Sequence, residues 1–418
     1  MIRLLIKSDL AQAASLVAMA YPGMQIAEAE AQDGFIERLI FEIESENNFR
    51  FYGLFTEQNE LLGMYKLHEL QGNVNGEIVR VFGIGMVAVH FFHKKEGIAK
   101  QLLQHFHELA RQERVGLVSL YPFNTSFYQK MGYGYGPTRY QYKLKPASFP
   151  SNGDRKKVVL LSPSNEEEIV AVYNKFAAMH HGMMERTWHE RTLIKKKASY
   201  YAGVYEDNEL IGAIAYTLQP VKDSHFLHSE MNVLEWVWTK PSAFQDICAW
   251  INSQQDQIDR VLVRTHDESL LYQLEDPRND SNRLIPSVYH EVGAVGTGVM
   301  YRISSIEEFV EQVNFHLLDR PGSPVTISLF VQDSFIQEQN GSYELTFSGD
   351  SWSIEKSSIS SEEADLGIVI SDLSSWWMGC ATLEKLVQYG KVELNNWSAK
   401  DLDRWFMPNS KPVCLTSF

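Results

Sequence analysis

The stretch YGLFTEQNELLG at residues 52–63 returns, one residue shorter, as AGVYEDNELIG at 202–212. Each copy sets an aromatic-rich segment before a polar turn and an alternating segment after it, the pattern of a β-hairpin. Extending the match brings GMVAVHFFHKKEGIAKQLLQHF against NVLEWVWTKPSAFQDICAWI. In both, strand alternation passes into helical spacing. A chain that repeats this order of elements carries two related α/β units.

In the first copy, IRLLI at 2–6 reads as a short strand. Asp9 is placed to cap a helix over LAQAASLVAMAY, which Pro22 and Gly23 end. A second helix is expected over 32–46, with Phe35, Leu39, Ile40 and Ile43 on one face. FRFYGLF and LLGMYKLHEL form the hairpin around EQNE, and a further strand spans about 79–90. The helix from Gly97 carries Ile98, Leu102, Leu103, Phe106 and Leu109 at helical spacing. LVSLYPF is a strand, SFYQKMGYGYG a short helix ending in glycines, and TRYQYKL closes the unit near residue 144. Proline and polar residues then cluster in KPASFPSNGDRKK at 145–157, which reads as a linker or boundary. A third segment opens near residue 300 with VMYRISSIEEFVEQV. Strands are expected at ISLFVQD, SYELTFSG and GIVISD, and helix over LSSWWMGCATLEKLVQYGKVEL. Trp376, Trp377 and Trp405 fit a core better than a ligand site.

At 418 residues the chain is long enough for roughly three domains. Its net charge of −15 argues against nucleic acid or an anionic membrane as partner. No apolar run approaches the ~20 residues a membrane span needs. MIRLLIKSDL is too short and too soon charged for a secretory signal. Cys248, Cys380 and Cys414 have neither disulfide-framework nor metal spacing, which fits a reducing cytoplasm and no metal.

The junction VAVHFFHKKEGIAKQLL at 87–103 is where chemistry concentrates. A helix N-terminus leaves backbone N–H groups unpaired and partly positive. Glycine lets an anion approach that backbone, and nearby lysines add charge. A strand-to-helix junction so built binds phosphate. Neither GxxxxGK[ST] nor GxGxxG is present.

VAV followed by KKEGIA resembles the acetyl-coenzyme A motif of the GCN5-related N-acetyltransferases, with Lys94 where that motif has Arg or Gln. FYQKMGYGYG at 127–136 looks like a later segment of the same family. The double unit, the length and the third segment make the whole chain similar to the Eis (enhanced intracellular survival) type. The resemblance implies two tandem acetyltransferase-like α/β units, each a mixed sheet flanked by helices, and a smaller α+β sterol-carrier-like domain. The expected boundaries are 1–146, 147–298 and 299–418. The second copy lacks the glycine and carries Pro241, so it is expected to be degenerate.

The resemblance further implies that Val87, Ala88 and Val89 pair through their backbone with the pantetheine arm. Lys94, Lys95, Glu96, Gly97, Ile98, Ala99 and Lys100 would surround the diphosphate, and Asn124 joins the cofactor-binding positions. Tyr128 matches the family's general acid; Tyr121, Tyr133, Tyr135 and Tyr140 are neighbours without that match. The C-terminal carboxylate, here of Phe418, enters the active site of Eis-like enzymes and would attract a cationic amine. His90 and His93 flank the motif as alternative bases. The implied activity is acetyl-coenzyme A-dependent N-acetylation of a primary amine on a small polycationic or peptidic acceptor, such as an aminoglycoside-like compound or a lysine side chain, in a homo-oligomer that is hexameric in the family. The competing reading is an acyl-coenzyme A or apolar-ligand binding protein, a sensor without turnover.

Overall fold

The computed structural model describes residues 1–416 apart from 45–47, 188–189, 192–193, 195–198, 222–226, 314, 316–320, 322–323 and 349–350. In chain order its strands are β1 (Ile2–Leu4), β2 (Phe49–Phe55), β3 (Leu61–Val74), β4 (Glu77–Val89), β5 (Leu117–Leu120), β6 (Gly134–Tyr135) and β7 (Thr138–Leu144). Next come β8 (Val158–Leu161), β9 (Tyr200–Glu206), β10 (Glu209–Pro220), β11 (Ser229–Trp238), β12 (Ile258–Thr265), the hairpin β13 (Leu284–Ile285) and β14 (Tyr289–His290), and β15 (Gly293–Thr297). The last are β16 (Met300–Ile303), β17 (Val325–Gln332), β18 (Gly341–Ser348), β19 (Ser351–Ser357), β20 (Leu366–Val369) and β21 (Glu393–Leu394). Helices used below are α1 (Leu10–Ala20), α2 (Ala29–Glu44), α3 (Ile98–Gln112), α4 (Thr125–Gln129), α5 (Glu166–Met179) and α6 (Pro241–Asn252).

The repeated sequence makes repeated structure for identifiable reasons. Asn59 and Asn208 of the two NEL turns both adopt φ +64°, a left-handed conformation that asparagine tolerates. A Cβ on Gly53 would stand 2.6 Å from Leu61 Cδ1, and one on Gly203 2.6 Å from Leu210 Cδ1. The closing glycines admit the helix. A Cβ on Gly63 would lie 2.7 Å from Ile98 Cγ2 of α3, and one on Gly212 2.6 Å from Ala243 Cβ of α6.

Met1–Gly136 and Val299–Lys411 form one compact unit; Pro137–Gly298 and the tail from Pro412 form another. The sheet of the first runs β1-β2-β3-β4-β5-β16-β6, with β4 and β5 parallel. Burying α3 on one face are Leu102, Leu103 and Phe106, packed with Tyr65, Phe82 and Val118. The sheet of the second runs β15-β7-β12-β11-β10-β9-β8, with β11 and β12 parallel. Here α6 packs Ile247 and Ile251 against Val233 and Val261.

Three sequence expectations change. TRYQYKL, expected to close the first unit, is β7 of the second sheet, paired antiparallel to β12 and β15. VMYRI, expected to open the third segment, supplies β16, which pairs with β5 and β6 in the first sheet. Alternation says that a segment is a strand, but not which edge it joins. Residues 145–157, expected as a linker or boundary, lie within the second unit and are tied to it at two points. Phe149 is fully buried, Asn252 Nδ2 donates to its carbonyl at 2.7 Å, and the Asp154 N–H donates to Asp246 Oδ1 at 2.7 Å.

The third segment builds a sheet ordered β19-β18-β17-β20-β21. Its aromatic residues fill its core: Trp377 stacks on Phe309 at 5.7 Å and Phe406 meets Trp376 at 5.7 Å. Arg302 of β16 and Asp333 pair with both side chains fully buried. Such a pair is costly to desolvate, so each end needs further partners. Arg302 Nη1 also donates to the Met131 carbonyl at 2.7 Å, and Asp333 Oδ1 accepts from the N–H groups of Phe335 and Ile336 at 2.9 Å each. Among the described residues no helix is long and apolar enough to cross a membrane.

Candidate active site

The site begins where the first sheet opens. Parallel pairing of β4 with β5 ends at Ile84–Leu120, yet β4 continues to Val89. Against β3, Lys66 pairs with Gly85 and Met64 with Ala88, so Met86 and Val87 together oppose Tyr65. Met86 has φ +51°. This is a β-bulge, which bends the strand and re-aims its groups. The His90 N–H donates to the Leu62 carbonyl at 2.9 Å. By ladder alternation residues 88 and 90 therefore turn their backbone groups to β3, while 87 and 89 turn theirs to the open edge.

That edge faces a cavity of about 700 Å³. Val87, Val89, Lys95, Gly97, Phe123 and Phe127 are among the residues that line it. Ile98 also lines the cavity although it is buried; Ala88 is buried with its backbone groups turned to β3 and is not among the lining residues, unlike the expectation for it.

At the strand–helix junction Lys95 has φ +70° and Gly97 φ +81°. Gly97 is the N-cap of α3 and no side chain caps that end. The first intrahelical bond runs from the Gln101 N–H to the Gly97 carbonyl at 3.0 Å. The N–H groups of Ile98, Ala99 and Lys100 thus have no partner within the helix. A Cβ on Gly97 would meet nothing within 4 Å, so the space over these donors is open. Left-handed residues on either side of Glu96, just ahead of a helix, form a concave nest of N–H groups suited to an anion such as a diphosphate. Lys94, Lys95 and Lys100 line the cavity around it. Lys94 Nζ sits 3.5 Å over the Phe91 ring, and Glu96 Oε2 is 2.9 Å from His93 Nδ1. The one acidic side chain of the loop thereby has its own partner.

Tyr128 rides on α4. Asn124 caps that helix, its Oδ1 accepting from the Phe127 N–H at 3.1 Å and from Ser126 Oγ at 2.8 Å. The Tyr128 ring is buried, edge-on to Phe123, Phe127 and Tyr133 at 5.5, 5.1 and 5.9 Å. Burial, and then the neighbouring Tyr21, push its phenol above the ordinary value. It therefore stays protonated at neutral pH, as a proton donor must. The turn after α4 is held from below by Arg302 through Met131, and by a chain from Tyr133 Oη to His107 Nε2 at 3.2 Å and His107 Nδ1 to Ser304 Oγ at 3.1 Å.

Not every expected residue gathers here. Tyr140 belongs to the second sheet and Tyr133 is buried on His107. His93 lines both the cavity and an adjoining cleft of about 530 Å³, whereas His90 lines only that cleft, with Gln12, Ser15 and Glu60. Phe418 lies outside the described residues. The tail before it is fixed within the second unit: the Val413 N–H donates to the His181 carbonyl at 2.7 Å, and Thr416 Oγ1 is 3.1 Å from Tyr173 Oη. Missed from sequence were Phe123, Phe127 and Tyr21, whose hydroxyl donates to the Val87 carbonyl at 2.8 Å. No motif marks Tyr21. Among the described residues no cluster of three or more His, Cys, Asp or Glu could hold a metal.

Comparison with known proteins agrees with this layout. Residues 1–136 and 182–303 each match an acetyltransferase (GNAT) domain family, and residues 306–415 match the sterol carrier protein domain. No curated sequence matches the chain at a significant level. Among solved structures, a GCN5-related N-acetyltransferase from Anabaena variabilis superposes with a TM-score of 0.81 at 18% identity, covering 100% of both chains. A probable N-acyltransferase from Enterococcus faecalis gives 0.78 at 19% identity, covering 100% of this chain and 99% of that one. Eis1 from Mycobacterium abscessus gives 0.78 at 18% identity, again covering 100% of both. At such identities the likeness establishes the shared fold.

Proposed function

Because the chain is an acetyltransferase built from two GNAT domains and a sterol carrier protein domain, we propose that its first domain alone performs the chemistry. The reaction is direct transfer of an acetyl group to a primary amine, in a ternary complex. The acceptor is a small polycationic or peptidic amine, aminoglycoside-like or a lysine side chain. Acetyl-coenzyme A supplies the activated thioester. One observation supports this reading: the open β4 edge and the nest at Lys95–Lys100 border one cavity, and two of its lining rings, Phe123 and Phe127, pack edge-on against the buried Tyr128.

The residues divide the work. Backbone groups of Val87 and Val89 bind the pantetheine amides as a neighbouring strand would. The N–H groups of Ile98, Ala99 and Lys100 hold the diphosphate, with Lys94, Lys95 and Lys100 as counter-charges. A backbone N–H at Val87 donates to the thioester oxygen as negative charge develops there. The amine nitrogen bonds to the carbonyl carbon, the carbon–sulfur bond breaks, and Tyr128 gives its proton to the departing sulfur. The amine must first be neutral, and it sheds a further proton on attack. The C-terminal carboxylate of Phe418 orients the cationic acceptor, with His93 nearest the cavity as the alternative proton acceptor. The net charge of −15 suits a polycationic acceptor. A hexameric, cytoplasmic enzyme completes the reading; sedimentation of the purified chain tests the assembly.

The test is thiol release from acetyl-coenzyme A with polyamines, aminoglycosides and lysine peptides, with products identified by mass spectrometry. The proposal expects acetylated amines and one equivalent of free thiol per acetyl group. Tight cofactor binding without thiol release across the panel would make the protein a sensor.

A further inference from the structure

Tyr21 follows the last turn of α1, its N–H bonded to the Val17 carbonyl at 2.8 Å and Pro22 next in sequence. Its ring lines the cavity, and its hydroxyl reaches 66 residues along the chain to the Val87 carbonyl at 2.8 Å. That carbonyl belongs to the bulged part of β4. The β3 ladder addresses residue 88 there, and β5 has already ended. The phenol is thus the anchor for a carbonyl that turns away from β3 and lies beyond the end of β5.

Peptide groups are rigid planes. The Val87 oxygen shares its plane with the Ala88 N–H, which faces β3; held at both ends, that plane limits the Val87 torsions and so restricts where the adjoining Val87 N–H can point. Burial raises the Tyr21 phenol above its ordinary value, so the donor is present throughout the neutral range. Its proton is committed to the carbonyl, which makes it a poor acid for the sulfur and leaves that task to Tyr128.

We propose that Tyr21 is a positioning residue for acyl transfer: by donating to the Val87 carbonyl it locks the β4 bulge so that the strand's free N–H meets the thioester oxygen. This rests on the reading of the first domain as the catalytic one. Its effect falls on the transition state, where charge on that oxygen is greatest, and only weakly on cofactor binding.

The test is Tyr21→Phe in the full chain, which keeps the ring and removes the one hydroxyl. The expected result is a kcat lowered about tenfold, the scale of one lost hydrogen bond, with coenzyme A affinity and the melting midpoint unchanged. An unchanged kcat overturns the proposal. So does a loss confined to coenzyme A affinity or to stability. Tyr128→Phe is measured alongside. If it is fully active, the reading of the site fails; if it is crippled while Tyr21→Phe matches wild type, only the positioning role fails. A second variant, Tyr21→3-fluorotyrosine, keeps the donor while making the phenol more acidic. Its kcat should match wild type at neutral pH and decline at a lower alkaline pH. The other titratable groups lining the same cavity are His93, Lys94, Lys95 and Lys100, Tyr128 is the neighbouring phenol, and all are common to both proteins. Coincident pH profiles would contradict a role for the Tyr21 proton.

Discussion

The β4–α3 and β11–α6 junctions share a plan and differ in chemistry. Both central strands outrun their parallel partner, β4 past Ile84 and β11 past Asn232. Both carry a bulge against the preceding strand, at Met86–Val87 and at Leu234. Only the first junction turns left-handed at Lys95 and Gly97. At the second, Lys240 is extended, with φ −132° and ψ 142°, and Pro241 takes the first helical position. Proline removes one of the donors a diphosphate would need. Lys240 is paired with Glu206, and Phe244 stands 5.0 Å from both Trp236 and Trp238, filling the strand–helix angle with rings. The splayed sheet is thus a scaffold that two chemistries can occupy. What separates the two junctions is a few backbone torsions and the side chains beside them.

The largest expected effect breaks the first junction. Gly97→Glu places a carboxylate in the nest and strains a φ of +81°. Coenzyme A affinity measured by calorimetry should fall at least about a hundredfold. Affinity within threefold of wild type would move the diphosphate elsewhere. Next, Tyr128→Phe should lower kcat by about 10²-fold or more while leaving that affinity intact. Appending residues after Phe418 should depress kcat about tenfold if the terminal carboxylate orients the amine at up to ~1.4 kcal/mol. A fully active extended chain would free the terminus from the mechanism.

The smaller effects sharpen the shared plan. Arg302→Ala leaves Asp333 buried and unpaired and should cost about 3–5 kcal/mol in urea denaturation. Gly63→Ala and Gly212→Ala press a methyl onto α3 and α6 respectively, and each should cost about 1–3 kcal/mol. Their costs should be alike, since the glycines serve the same strand–helix contact. A large cost at one and none at the other would deny that the units are built alike.

Local chemistry made much of this legible. The hairpin FRFYGLF–LLGMYKLHEL falls on β2 and β3 because alternation and the NEL turn agree, and KKEG marks the nest because glycine and lysine are what such a turn requires. Sheet membership was not legible. TRYQYKL and VMYRI read as strands, but pairing partners more than a hundred residues away leave no local trace. SWSIEKS, the strand β19, went unread between stronger neighbours. Tyr21 was invisible for a similar reason, since its partner is a backbone carbonyl that any residue could have offered.

Hydrogen–deuterium exchange with and without coenzyme A tests the contrast between the two junctions most directly. Protection should appear within Val87–Lys100 and be absent from Trp236–Phe244. Protection at the second stretch, or at neither, would contradict it.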